Sequence, residues 1–180
     1  MTVFLDGESL PEDAPDLWRP EEPFPPYRFV PGKNPHPFAQ KGGYAFGERP
    51  LPPPFCSLES WREHPPYLRG VDFFNRGWWW EAHEIWEGAW HACEGRESVQ
   101  REWLQGLIQL AACALNRERD HHDGADRLLQ SATDHLEAAR EGSGGEERLG
   151  GLNVEDLVQK ARDFLTPRTL PKEGFYLVLE

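Results

Sequence analysis

At 180 residues the chain suits one domain with an appendage or two very small domains, and its net charge of −12 argues against a nucleic-acid partner, whose phosphates such a surface repels. No apolar run approaches the ~20 residues needed to span a bilayer. The start, Met1-Thr2-Val3-Phe4-Leu5-Asp6-Gly7-Glu8, lacks the basic and apolar stretches of a signal peptide.

Residues 1–66 read as a proline-rich, mostly irregular arm, because fifteen of the seventeen prolines fall before residue 67. Pro23-Phe24-Pro25-Pro26-Tyr27 and Pro50-Leu51-Pro52-Pro53-Pro54-Phe55 cannot form helix interiors, since proline lacks the amide donor and clashes with the preceding turn. The arm also carries Phe24, Tyr27, Phe29, Phe38, Tyr44, Phe46, Phe55 and Trp61, whereas disordered linkers are poor in aromatics. It is therefore expected to wrap over the rest of the chain and bury those rings.

From Pro66 the pattern becomes helical, and a helical domain is expected over 67–166 with a tail over 167–180. Tyr67–Arg76 reads as a short helix capped by Gly77. Trp78–Cys93 is the second, stopping near Gly95; Glu97–Arg117 the third; Gly124–Arg140 the fourth. Gly142-Ser143-Gly144-Gly145 breaks the chain. Asn153 then caps a fifth helix running to Leu165, with Glu155 and Asp156 in its first turn and Pro167 beyond its end. The end, Phe175-Tyr176-Leu177-Val178-Leu179, is strand-like and is expected to pair with Val3-Phe4-Leu5. The fold class is thus all-α, about five helices around a central buried one.

The three cysteines, Cys56, Cys93 and Cys113, are odd in number, widely spaced and without a CxxC pair. Cys93 and Cys113 fall among apolar neighbours in predicted helices, where a reduced thiol behaves as a small hydrophobe. A reducing cytoplasm is the simplest setting.

The second helix carries five of the eight tryptophans. At ~100° per residue, Trp79, Ala82, Trp86, Trp90 and Cys93 share a face. His83 falls within that stripe, Glu87 lies at its edge, Glu84 is further round and Glu81 points nearly opposite. His83 and Glu87 are i,i+4 neighbours that can touch. One reading makes them a satisfied polar pair fixing helix register. The other makes them ligands of a divalent metal, with Glu84 as general base for a metal-bound water. The spacing differs from the zinc-protease His-Glu-x-x-His pattern in having glutamate at the second ligand position.

The third helix is apolar over more than half its circumference, through Trp103, Leu104, Leu107, Ile108, Leu110, Ala111, Ala114 and Leu115, which marks it as buried. Its narrow polar stripe carries Gln105 and Gln109, whose amides need partners. Two arrangements stay open: the amides face His83, Glu84 or Glu87 across a small polar cleft, or the stripe meets water or the arm. Asp120-His121-His122-Asp123 reads as a solvated loop, and Pro35-His36-Pro37 as a stiff turn steering the arm. There is no phosphate-binding glycine loop and no Ser/His/Asp signature.

Phe73-Phe74-Asn75-Arg76-Gly77, then Glu81-Ala82-His83-Glu84-Ile85-Trp86-Glu87, then Gln105-Gly106-Leu107-Ile108-Gln109-Leu110-Ala111 resemble the domain of unknown function 309 family over roughly residues 67–140. The resemblance implies an all-helical fold of about five helices around a central one and no established activity. It marks Phe74, Asn75, Gly77, Glu81, His83, Glu84, Glu87, Gln105 and Gln109. The arm's Pro26-Tyr27-Arg28-Phe29-Val30-Pro31-Gly32 and Pro35-His36-Pro37 resemble a subgroup of that family. Where the subgroup has a second histidine before the arm's tyrosine, this chain reads Lys41-Gly42-Gly43-Tyr44, so the arm offers no histidine pair there. Two functions follow for test. The first is a non-catalytic helical module whose cleft of His83, Glu84, Glu87, Gln105 and Gln109 is structural or binds a protein segment or small ligand. The second is a metal-dependent hydrolase. An exposed indole patch would point to a protein partner or a homo-oligomer.

Overall fold

Helices dominate the computed structural model, which describes residues 14–49, 51–55, 57–93, 98–170 and 174–180. A short 3-10 helix, Leu58–Glu63, leads into α1 (Pro65–Phe74), α2 (Trp79–His91), α3 (Ser98–Glu118), α4 (His122–Gly142) and α5 (Val154–Leu165). Between α4 and α5 sits a small antiparallel hairpin, β1 (Arg148–Leu149) with β2 (Leu152–Asn153), pairing Arg148 with Asn153 and Leu149 with Leu152. The all-α class expected from the sequence is the observed one. Among the described residues no helix is long and apolar enough to cross a membrane.

Local chemistry sets the helix ends. The His64 Nδ1 accepts the Tyr67 amide at 3.1 Å, and Pro65 and Pro66 occupy the first turn of α1, where their missing N–H groups cost nothing. Gly77, at φ +73°, turns the chain from α1 into α2. The Asn153 Oδ1 accepts the Asp156 amide at 2.9 Å and caps α5, as the sequence predicts.

The central helix is α3, which packs on α2, α4 and α5. Trp103, Leu107, Leu110, Ala111 and Cys113 are fully enclosed along it. Two glycines permit the close crossings. A Cβ at Gly70 would lie 2.1 Å from the Trp86 Nε1, and one at Gly106 would lie 2.6 Å from the Leu136 Cγ. Cys93 and Cys113 are both buried; the Cys113 Sγ donates to the Ala125 carbonyl, and burial pushes this thiol up to about 12.

The C-terminal residues 174–180 run extended with Phe175, Leu177 and Leu179 buried in alternation, but they belong to no sheet among the described residues. The backbone of Leu177 pairs with the Asn75 side chain instead, and the Glu180 amide donates to the Gly151 carbonyl. The expected pairing with Val3-Phe4-Leu5 lies outside the described residues, as do Cys56, Gly95 and Glu97.

The arm is irregular apart from the 3-10 helix, a feature the proline pattern hid. Charged groups pin it to the helices, among them Arg69, which donates to the Pro23 carbonyl, and Arg76, which donates to the Pro15 carbonyl. Asp72, 1% exposed on α1, accepts the Trp18 and Arg19 amides at 2.8 Å each. The Arg28 guanidinium forks onto the Glu118 carboxylate at the end of α3 and also donates to the Gly77 carbonyl. The Phe29 amide donates to the Glu81 Oε1 at 2.7 Å.

Candidate functional site

Helix α2 has a core face and an arm face. Ala82, Trp86 and Ala89 form the core face, continued by Cys93 in the turn beyond the helix, all at 3% exposure or less. At ~100° per residue this stripe is centred away from Trp79 and Trp90, which with His83 lie along its edge. All three are half-buried. The expectation of an imidazole packed inside the indole stripe is therefore corrected: the His83 side chain is 28% exposed. The enclosed stripe runs through Ala82 and Ala89, which leaves His83 at its edge.

The residue His83 meets is Glu84. Its Nδ1 lies 3.4 Å from the Glu84 Oε1, outside hydrogen-bonding geometry, and is enclosed without a hydrogen-bond partner among the described residues. His83, Glu84 and Glu87 each offer a ligand atom within 4.8 Å of the others, and all three are half-buried. The triangle joins the two predicted ligands to Glu84. Gln105 and Gln109 are half-buried on α3, and neither hydrogen-bonds to His83, Glu84 or Glu87 among the described residues. The Gln109 Oε1 is enclosed without a partner among the described residues.

Opposite the core face, the arm roofs the outer side of α2 and leaves a cavity of about 890 Å³ open to solvent. Its α2 wall is Trp80, Glu81, Glu84, Ile85, Glu87 and Gly88. Its arm wall includes Pro25, Phe38, Tyr44, Leu51 and Pro52. Trp80 is held on this side by arm rings: Phe29 meets it edge-on with centroids 4.9 Å apart, His36 at 5.3 Å and Phe38 at 5.9 Å. His36, read from the sequence only as a stiff turn, thus packs on an indole, while its Nδ1 accepts the Phe38 and Ala39 amides.

The buried acid of this wall is Glu81, which the family resemblance marks but which the cleft expected from the sequence leaves out. Glu81 is 4% exposed, and its Oε1 accepts from the Phe29 amide and the Tyr44 hydroxyl, the latter at 3.4 Å. Its Oε2 is enclosed without a hydrogen-bond partner among the described residues. Burial pushes this carboxyl up to about 7, against the lowering effect of the Phe29 amide. Burial, then the Glu81 charge, pushes the Tyr44 phenol up as well. The helical wheel placed Glu81 correctly, away from the core. The signal that could have found it is the arm's Tyr27-Arg28-Phe29 run, whose aromatics had to cover some face of the helices.

No curated protein and no solved structure matches the chain. Residues 67–128, from the start of α1 into α4, match the family model described as Domain of unknown function (DUF309), so this segment carries the domain that its Phe-Asn-x-Gly, His-Glu and Gln-Gly motifs resembled.

Proposed function

We propose that this protein is a non-catalytic helical module that binds a small ligand in the cavity between α2 and its proline-rich arm. The observation that carries the reading is the cavity's composition. Its walls are mainly aromatic, proline and aliphatic side chains, and among them stands Glu81 with a hydrogen-bonding position unfilled. Concave, mostly apolar sites with a few convergent polar groups are where small molecules bind. Closely packed scaffolding would fill such a space with side chains. The buried thiols Cys93 and Cys113 support a reducing, cytoplasmic setting for the module.

The test is chemical-shift mapping of the full chain with a panel of small fragments. Shifts concentrated on the Trp80 indole and on Phe38, Tyr44 and Ile85 are expected. A panel that leaves those signals unmoved would sink the reading.

A second reading is favoured by the triangle of His83, Glu84 and Glu87, which suits a divalent cation such as zinc or manganese. In that arrangement Glu84 ligates the ion and is not free to serve as the general base of a hydrolase. Titration of chelator-treated protein with zinc should then give one equivalent bound, lost in His83→Ala with the helical circular dichroism retained. An unchanged affinity in that variant would remove His83 from any such site.

A further inference from the structure

We infer that the occupant of the arm-roofed cavity is an aliphatic diamine or polyamine, held by Glu81 and Glu84 with its methylene chain against Trp80 and Phe38. The inference rests on the cavity being a ligand site, and it adds the ligand's charge, shape and orientation.

Charge comes first. Glu48, Glu81, Glu84 and Glu87 all line the cavity, against Arg49 and His91. The balance favours a cation, and the chain's net charge of −12 adds a field of the same sign. The buried acid then decides what kind of cation. Glu81 has its Oε1 engaged by the arm and its Oε2 without a donor among the described residues. An enclosed carboxylate oxygen lacking a donor is costly, and a ligand N–H would relieve it. Protonated amines carry such donors, whereas a quaternary ammonium does not. Glu81 is almost wholly enclosed, which sets it apart from a solvated acidic cluster.

Shape comes from the spacing. Glu81, Glu84 and Glu87 succeed one another at i,i+3, a rise of ~4.5 Å per step along α2. That step is comparable to a short methylene spacer between two ammonium groups. The surfaces between the carboxylates are apolar: Trp80 and Ile85 on the helix, Phe38, Leu51 and Pro52 on the arm. The Phe38 and Trp80 rings, inclined at 43° with centroids 5.9 Å apart, both line the cavity, and aromatic rings attract an ammonium group as well as methylenes. A metal ion would use none of this apolar surface. An anionic metabolite would meet four carboxylates.

Isothermal titration of the full chain with butane-1,4-diamine, in a chelating buffer so that divalent ions do not compete, tests the assignment. Saturable binding is expected, weakened by added salt. Butan-1-amine should bind at least tenfold more weakly, and hexanoate should not bind. Glu81→Gln should weaken the diamine at least tenfold. Glu84→Gln, a change at a half-exposed position that leaves the arm contacts in place, should weaken it several-fold and keeps the test decisive if the Glu81 variant misfolds. A neutral ligand such as cyclohexanol binding at Trp80 while no amine binds would overturn the cation assignment and leave the ligand-site reading standing. Diamine affinity unchanged in Glu84→Gln and in salt would overturn it too. No small molecule binding at all would overturn both.

Discussion

Asn75 and Leu177, 102 positions apart, are joined by a two-way bond: the Asn75 Oδ1 accepts the Leu177 amide at 2.7 Å and its Nδ2 donates to the Leu177 carbonyl at 3.0 Å. One side chain thereby substitutes for a neighbouring strand, which explains why a segment with strand-like alternation lies extended without joining a sheet. Both residues are buried, so neither backbone group has water as a fallback. Asn75→Ala should lower stability by about 2–4 kcal/mol, because two buried backbone groups lose their partners. Urea unfolding read by circular dichroism measures the loss. Asn75→Asp should do no better, since it removes the amide donor and adds a buried charge.

The close approach of α1 to α2 gives a second expectation. A methyl group at Gly70 would collide with the Trp86 ring, which is fully enclosed and cannot swing away. Gly70→Ala should therefore destabilise by about 2–3 kcal/mol despite alanine's better helix propensity. Gly106→Ala meets the more adaptable Leu136 side chain and should cost less. Thermal melts of the two variants side by side check the order.

Asp72 clasps the start of the described arm. Its carboxylate accepts two arm amides, and the Arg69 guanidinium stacks beside it between Phe24 and Phe73, 4.4 and 4.5 Å from their ring centroids. Asp72→Ala strands those amides and removes a neighbouring charge from a buried guanidinium, an expected loss of about 2–4 kcal/mol. Hydrogen exchange should rise first at Trp18 and Arg19, ahead of the helices. Uniform protection across arm and helices in the variant would contradict that ordering.

His64 supplies a pH dependence. Burial lowers its pKa below the ordinary 6.5, outweighing the favourable contact with the Pro54 carbonyl. An unfolded chain therefore takes up the proton first as the medium is acidified. The contribution to stability is fully present above 6.5 and is lost as pH falls from there towards the depressed folded value. A protonated Nδ1 also cannot accept the Tyr67 amide that caps α1. Glu81, raised to about 7, titrates over an overlapping range with the opposite sign. The melting temperature of wild type minus that of His64→Gln, followed across this range, isolates the histidine, and the difference should shrink on acidification.

Legibility from sequence followed periodicity. The five helices end within about two residues of where caps and breakers place them, because Asn153, Gly77 and the prolines act through local backbone chemistry. The enclosed α3 was equally readable, since an apolar arc past half a turn has nowhere to go but inward. Two kinds of fact were not. The first is the rotation of α2 about its axis: the enclosed stripe runs through Ala82 and Ala89, at 0% and 3% exposure, and leaves His83 at its edge. The second is the arm, which has no period. A helical wheel could place Glu81 opposite the core, but only the docking of Tyr27-Arg28-Phe29 turns that outward carboxylate into an enclosed one.

The pinning of Trp80 by Phe29, His36 and Phe38 has an optical consequence. All three partners come from one irregular segment, so that segment cannot lift without stripping the indole of every ring neighbour it has there. Detachment of the roof and wetting of this one chromophore are a single event. A red-shifted emission component, absent from a Trp80→Phe chain, would report the open state while the five helices stay folded.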